Sequence, residues 1–253
     1  MKIATWNVNS LRVRLPHVLD WIAANRPDVL ALQEIKLVDE HFPFAEIEAA
    51  GYSAVVAGQK TYNGVAILSR KKAADVINCL PNFADPQRRV LAATLEDVRI
   101  LNLYVPNGEN VTSEKYQYKL NWLNNLNTFI EAELQKFPKL IVLGDFNIAP
   151  HEIDLHDPTL FHGQVLFSEP ERHAFNQLLK LGLHDCLRLH SEDQIFTWWD
   201  YRMNAFKRNL GVRIDHILAS TAFSQQCATC YVDKTPRAWE RPSDHTPVIA
   251  EFS

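Results

Sequence analysis

No glycine-rich phosphate loop occurs in this sequence. Neither G-x-G-x-x-G nor G-x-x-x-x-G-K-[ST] can be found in its 253 residues, which argues against nucleotide binding of those kinds. A basic excess is missing too: 26 Lys and Arg stand against 30 Asp and Glu, for a formal net charge of −4. Any grip on phosphate must therefore be local or metal-assisted, not spread over a basic face. Cysteine is sparse and irregularly placed, at Cys79, Cys186, Cys227 and Cys230, which is no disulfide framework. The Cys227-x-x-Cys230 pair has no histidine cluster to complete a zinc set. No apolar run is long enough to span a bilayer, and the opening MKIATWNVNS has no signal-type apolar region. A reducing cytoplasm is the expected location. Linkers, low-complexity segments and charge blocks are also lacking, so one domain over residues 1–253 is expected.

What is present is a series of strand-like apolar runs: Ile3–Trp6, Val29–Leu32, Ser53–Ala57, Val65–Leu68, Val90–Leu95, Arg99–Val105, Leu140–Leu143, Ile195–Trp199, Ile214–Ala219, Cys227–Val232 and Pro247–Phe252. Helical periodicity appears over Leu15–Ala24, Glu114–Leu134 and Glu169–Leu181. Ser113 offers an N-cap, and Ser168 with Glu171 fits a capping box. Glu96-Asp97 reads as a hairpin turn, and Asn63-Gly64 resembles one. So many strands with few helices predict an α/β domain of two sheets packed face to face, with helices outside.

Polar groups recur at the strand ends. The run at Ile3 ends on Asn7 and Asn9, and that at Val29 on Gln33-Glu34. The run at Arg99 contains Tyr104 and leads to Asn107; LIVLGDFNIAP ends on Asp145 and Asn147. In later runs the polar group comes first, at Asp215 and at Asp244-His245. If the later strands run antiparallel to the earlier ones, all these groups reach one rim. Carboxylates crowded there repel unless a cation lies among them. Oxygen-only donors select a hard ion, Mg²⁺ or Mn²⁺, over zinc. A lone histidine beside them suits acid–base or electrophilic work. Any one of Asn7, Asn9 or Asp145 is equally a turn former; the recurrence at strand end after strand end is what points to function.

The segments TWNVNSLR, LQEIK, YNGVAILSR, LYVPNGE, LGDFNIAP, FTWWDYR, GVRIDHILAS and PSDHTPV follow in this order. Together they resemble the exonuclease III-type family of apurinic/apyrimidinic endonucleases, within the deoxyribonuclease I-like superfamily. The resemblance implies a four-layer α/β sandwich of two mixed sheets flanked by helices. It implies Mg²⁺-dependent hydrolysis of DNA phosphodiesters in base-excision repair. Double-stranded DNA with nicks, 3′ ends or abasic sites would be the partner, a membrane would not, and the protein would act as a monomer. Carried over residue by residue, Glu34 is the main metal ligand, with Asn7 and Asp244 near the metal. Asp145 activates the attacking water and Asn147 stabilises the charged transition state. Asn107 and Tyr104 contact the scissile phosphate or leaving group. His245 binds a phosphate oxygen, oriented by Asp215, and Lys36 adds positive charge.

Arg12, Tyr62, Arg202 and Lys207 lie in segments that approach DNA in that family, although each basic residue is equally a solvated surface charge. Trp198, Val212 and Ile214 resemble the apolar pocket for a sugar lacking its base, and are also compatible with plain core. Before the helix starting EPER, the loop PTLFHGQVLFS carries His162, Val165 and Leu166, where relatives hold smaller residues. Bulk here would block a flipped-out abasic sugar and leave frayed 3′ ends as substrates. The expected activity is thus 3′-phosphodiesterase, 3′-phosphatase and 3′→5′ exonuclease action, with full abasic endonuclease activity as the alternative. A superfamily phosphatase, or a DNA-binding module without catalysis, are the remaining readings.

Overall fold

The stretch Leu140–Leu143 shows no alternation of apolar and polar residues, as befits a strand covered on both faces. In the computed structural model, which describes residues 1–253, Ile141 and Leu143 point into one apolar layer and Leu140 and Val142 into another. The elements in chain order are β1 (Lys2–Asn7), α1 (Leu11–Asn25), β2 (Val29–Gln33), α2 (Phe44–Ala49), β3 (Ser53–Ala57), β4 (Val65–Ser69), β5 (Ala74–Ile77), β6 (Val90–Leu95), β7 (Val98–Tyr104), α3 (Glu114–Lys136), β8 (Leu140–Asp145), α4 (Pro158–Phe161), α5 (Glu169–Lys180), β9 (Leu183–Asp185), β10 (Asp215–Ser220), α6 (Thr221–Ser224), β11 (Cys227–Val232) and β12 (Val248–Phe252). The strands form two six-stranded sheets, ordered β11-β12-β1-β2-β4-β3 and β5-β6-β7-β8-β10-β9. Both are mixed, since β1–β2 and β7–β8 are parallel and the other pairs antiparallel.

Three apolar layers hold the sandwich. Ile3, Ala31, Ile67, Ile100, Ile141 and Val248 meet between the sheets. Leu140 and Val142 pack outward on Trp122, Leu126 and Phe175 of α3 and α5. On the other side Trp6, Leu30 and Leu32 pack on Val18, Trp21 and Ile47 of α1 and α2. Helix, sheet, sheet, helix is the predicted four-layer order. Each fully buried Leu or Ile contributes about 1.5–3 kcal/mol.

One polar contact interrupts the layer between the sheets. Asn102 of β7 is wholly buried, and its Nδ2 donates to Leu32 O at 3.0 Å and Ala66 O at 2.9 Å in the opposite sheet. Its Oδ1 accepts from Gln33 Nε2 at 2.7 Å.

The caps form as their chemistry predicts. Ser113 accepts from Tyr116 N at 3.1 Å, and Ser168 and Glu171 make the reciprocal capping box. Glu96-Asp97 joins β6 to β7 directly, with Glu96 at φ +58°. Gly144 has φ +136°, and a Cβ there would lie 2.0 Å from Leu103 O on the paired strand. Only glycine can therefore precede Asp145.

Three local readings change. Ile195–Trp199 is not a strand; Trp198 makes isolated bridges to Val212 and His245. Phe196, Trp198 and Trp199 fill small clusters under a loop while Ile195 packs on the layer between the sheets, and β10 already has strands on both sides. Asn63-Gly64 is no two-residue turn, because residues 58–64 connect β3 to β4. Strands β5 and β9 escape the pattern, the first because most of it is exposed and the second because it has 3 residues. No helix is long and apolar enough to cross a membrane.

Candidate active site

β1, β2, β7 and β8 deliver Asn7, Glu34, Tyr104 and Asp145 at or just past their last residues. β10 begins with Asp215, and His245 precedes β12. Because β12 is antiparallel to β1 and β10 to β8, strand ends and strand starts coincide on one rim. Asp215 pairs directly with Asp145 in register.

Ligand atoms of Glu34, Asp145 and His245 all lie within 4.8 Å of one another. The Asn7 amide bridges the two carboxylates, donating to Glu34 Oε1 at 2.9 Å and Asp145 Oδ2 at 2.8 Å. His245 Nδ1 donates to Asp215 Oδ2 at 2.9 Å, and its Nε2 faces Asp145 Oδ2 at 3.7 Å. Asn147 N donates to Asp145 Oδ1 at 2.9 Å, while Asn107 Nδ2 donates to Asn147 Oδ1 at 2.9 Å. Glu34 and Asn147 have φ of +51° and +49°. For a glutamate that backbone is uncommon, and such strain clusters at functional sites.

Electrostatics separate the two central groups. Burial raises the Asp145 carboxyl; the His245 charge opposes this, Asp215 and Glu34 add to it, and the group stands at about 7. Burial alone would lower the His245 imidazole. Asp215 and Asp145 outweigh it and hold the ring at about 10, cationic at neutral pH. Burial, with Glu34 and Asp145 nearby, pushes the Tyr104 phenol well above its usual range.

The donor set suits a hard divalent cation. Glu34 and Asp145 offer carboxylate oxygens, while Asn7 turns its Nδ2 to them and its Oδ1 to Asn9 N at 3.0 Å. A cation between the carboxylates would offset the repulsion that Glu34 and Asp215 add to the burial of Asp145. His245, cationic and engaged by Asp215, is not a ligand in this state.

The remaining predicted residues are placed unevenly. Asp244 turns from the trio: its oxygens accept from Trp198 Nε1 and Asn9 Nδ2, both at 3.0 Å. Lys36 Nζ lies 3.0 Å from Glu34 Oε2 and 2.6 Å from Asn9 Oδ1, at the edge of the site. Arg202 and Lys207 are exposed on one loop together with Met203, which is 74% exposed. Tyr62 is exposed on the β3–β4 loop, and Arg12 borders a separate shallow hollow with His41 and Pro43.

Trp198 does wall an open hollow, with Phe161, Leu160, Leu166 and Met203. Val212 and Ile214 do not line it; they are buried behind Trp198 against Ala149, Leu155 and Phe167. His162 is not on the wall either. Leu166 takes that place, held at φ +78°. The bulk foreseen in this loop thus reaches the hollow through Leu166.

Sequence reasoning missed several supporting residues. Thr197 Oγ1 donates to Asp215 Oδ2 at 2.6 Å and accepts from Asp215 N at 3.1 Å. Ser243 Oγ donates to Asn7 O at 2.7 Å and accepts from His245 N at 3.2 Å. Lys119 lies on the buried stripe of α3 with Tyr116, Trp122 and Leu126. A lysine on an apolar helix face was the available signal.

Stacked mixed sheets whose strand ends gather carboxylates, amides and one cationic imidazole define a class, the metal-dependent hydrolases of phosphate esters. Within that class, the chain belongs to the endonuclease/exonuclease/phosphatase family, whose model matches residues 4–245. It is 36% identical to exodeoxyribonuclease III of Haemophilus influenzae over 267 aligned positions, covering 100% of both chains. Among solved structures it superposes on the 3′ phosphatase NExo from Neisseria, bound to a product DNA hairpin, with a TM-score of 0.99 and 50% identity, covering 100% of this chain and 99% of that one. An AP endonuclease from Archaeoglobus fulgidus gives a TM-score of 0.97 at 41% identity, with 100% and 99% covered.

Proposed function

We propose that residues 1–253 form one catalytic domain that repairs DNA by hydrolysing phosphate esters at 3′ ends, leaving 3′ hydroxyls. The observation that carries this reading is the close approach of Glu34, Asp145 and His245. The Haemophilus and Neisseria relatives, by their names an exodeoxyribonuclease and a 3′ phosphatase, support the substrate class.

Glu34 and Asp145, with Asn7 beside them, would hold Mg²⁺, or Mn²⁺ as a substitute. That ion supplies neutralisation of the charge on the reacting phosphate. Asp215 keeps His245 cationic and aimed, and Nε2–H then donates to a non-bridging phosphate oxygen. Asp145 accepts the proton of the attacking water, whose oxygen bonds to phosphorus as the bond to the 3′ oxygen breaks; the 3′ oxygen leaves with that electron pair and takes a proton from solvent water, giving the 3′ hydroxyl. Asn147 orients that water, and Asn107 holds Asn147. Tyr104 reaches the scissile phosphate. Asp244 acts at one remove, by fixing Asn9 and Trp198. Arg202, Lys207, Tyr62, Arg12 and Lys36 contribute to holding the DNA backbone.

A second reading, abasic endonuclease activity, has the Archaeoglobus relative in its favour. Leu166 on the wall of the hollow favours 3′ ends instead, because an internal abasic sugar must be extruded and a terminal nucleotide need not be. A duplex with a central abasic analogue, assayed beside a nick bearing a 3′ phosphate, with and without Mg²⁺, separates the two. Mg²⁺-dependent removal of the 3′ phosphate with slow internal cutting is expected. Efficient internal cutting would reverse the order, and 3′ removal without a divalent ion would defeat the proposed mechanism.

A further inference from the structure

Of the buried charged pairs that the chemistry above leaves unused, such as Arg99–Glu133 and Arg213–Asp154, one is tied to the site itself. Lys119 of α3 and Glu171 of α5 have no exposed side-chain surface, and their charges lie 2.5 Å apart. Stability is a poor reason to retain such a pair, since well-packed apolar residues often serve as well. Its partners suggest another. Lys119 Nζ spends its other donors on two backbone carbonyls, Asn107 O at 3.0 Å and Asn147 O at 2.7 Å. These belong to the two asparagines whose side chains bond to each other on the rim. Glu171 Oε1 also accepts from Leu166 N at 3.1 Å, and Oε2 accepts from both the amide and the hydroxyl of Ser168. The Ser168 hydroxyl in turn lies 2.6 Å from the Tyr116 hydroxyl. Ala149 N closes the circuit by donating to Leu166 O at 2.8 Å. The segments tied together are those with left-handed residues, Asn147 at φ +49° and Leu166 at φ +78°. Such conformations persist where the surroundings over-determine them.

We infer that Lys119 and Glu171 are positioning residues: the pair locks Asn147, beside the reacting phosphate, to the loop whose Leu166 walls the hollow. One lock thus sets both the alignment of the catalytic amide and the width available to the substrate. The kinetic part of this inference rests on the proposed 3′-end activity; the structural part does not.

The test uses the full chain. Lys119→Met with Glu171→Gln removes both charges while keeping volume, and neither charge is left unpaired. Hydrogen exchange on the metal-free protein reads the lock directly: residues 147–149 and 164–168 are expected to exchange at least about tenfold faster. On a nicked duplex with a 3′ phosphate, kcat is expected to fall about 10²-fold, the scale of a small misplacement of catalytic groups, with KM within about threefold. A folded double variant with unchanged exchange in both segments, or with kcat within twofold of wild type, overturns the inference. If the double variant does not fold, Glu171→Gln alone gives the reading, since it weakens the tie to Lys119 and keeps an acceptor for Leu166 N. It is expected to accelerate exchange in the same segments, and unchanged exchange rejects the lock. Wild-type protein that leaves the 3′ phosphate in place defeats the proposed function while the exchange result still decides the lock.

Discussion

His245 reaches Asp215 through Nδ1 at 2.9 Å and turns its other nitrogen toward Asp145. The ring therefore lies between two carboxylates that face each other across β8 and β10. In the proposed mechanism Asp215 sets the charge and the aim of the imidazole, and Asp145 takes the proton of the attacking water. His245→Ala and Asp145→Asn are each expected to lower kcat about 10³-fold, the scale for losing an electrostatic stabiliser or a general base. Asp215→Asn should cost less, about 10²-fold, because the ring keeps its place but loses its partner's charge. Single-turnover rates on a 3′-phosphate nick, with fluorescence anisotropy for DNA affinity, check this. Near-normal turnover in either of the first two variants removes the assigned roles.

Narrowing at Leu166 makes a specificity prediction. Leu166→Gly relieves a left-handed backbone and shortens the wall of the hollow. Internal abasic cleavage should rise about tenfold relative to 3′-phosphate removal, within the range available to small changes in an apolar pocket. An unchanged ratio between the two substrates would place the barrier elsewhere.

Grip on DNA should come from few charges, given the net charge of −4. Arg202→Ala and Lys207→Ala, both in the exposed loop carrying Met203, should each weaken binding and flatten the plot of log K against log salt by about 1. An unaltered slope would return that residue to ordinary solvated surface.

Acid stability should trace to His216, the residue after Asp215, whose Nε2 lies 2.9 Å from Ile148 O. Burial, with Arg213 beside it, pushes the ring from 6.5 down to about 4. The unfolded chain therefore binds this proton first. The associated stability is complete above pH 6.5 and is lost as pH falls toward 4, by about 3 kcal/mol in total. Asp154 extends the loss further into acid. Burial pushes it up, but Arg213 and Arg188 outweigh that and hold it at about 2, so its contribution disappears as pH falls from 3.8 through 2. Thermal melts of wild type and His216→Leu across pH 4–7 should show a shallower acid slope in the variant. Parallel slopes would assign the acid loss to other groups.

Strand runs that end on polar groups were legible because both faces of each sheet are covered. Leu140–Leu143 has no polar position to confuse it, so Asp145 stands out as the first exception. Asn7, Glu34, Asp215 and His245 were legible for the same reason. Ile195–Trp199 reads as a strand from its composition because a buried loop and a buried strand share one composition, and no pattern within the segment says that β10 already has neighbours on both sides. Thr197 was hidden because its role depends on Asp215, some way along the chain. Size alone marks His162, Val165 and Leu166 equally; backbone direction puts Leu166 on the hollow, and a positive φ at a leucine cannot be foreseen from composition.

Asn102 has a mechanical consequence. Asn7 and Glu34 lie at the end of one sheet, and Asp145, Asp215 and Tyr104 in the other, so the proposed reacting groups straddle a seam. A wholly greasy seam tolerates sliding, because apolar contact has no direction. The amide of Asn102 works as a dowel: a slip of one residue, about 3.3 Å, would strand its bonds to Leu32, Ala66 and Gln33 inside a dry interior. The two halves of the proposed catalytic rim are thereby kept in step by a residue that lies wholly inside the core.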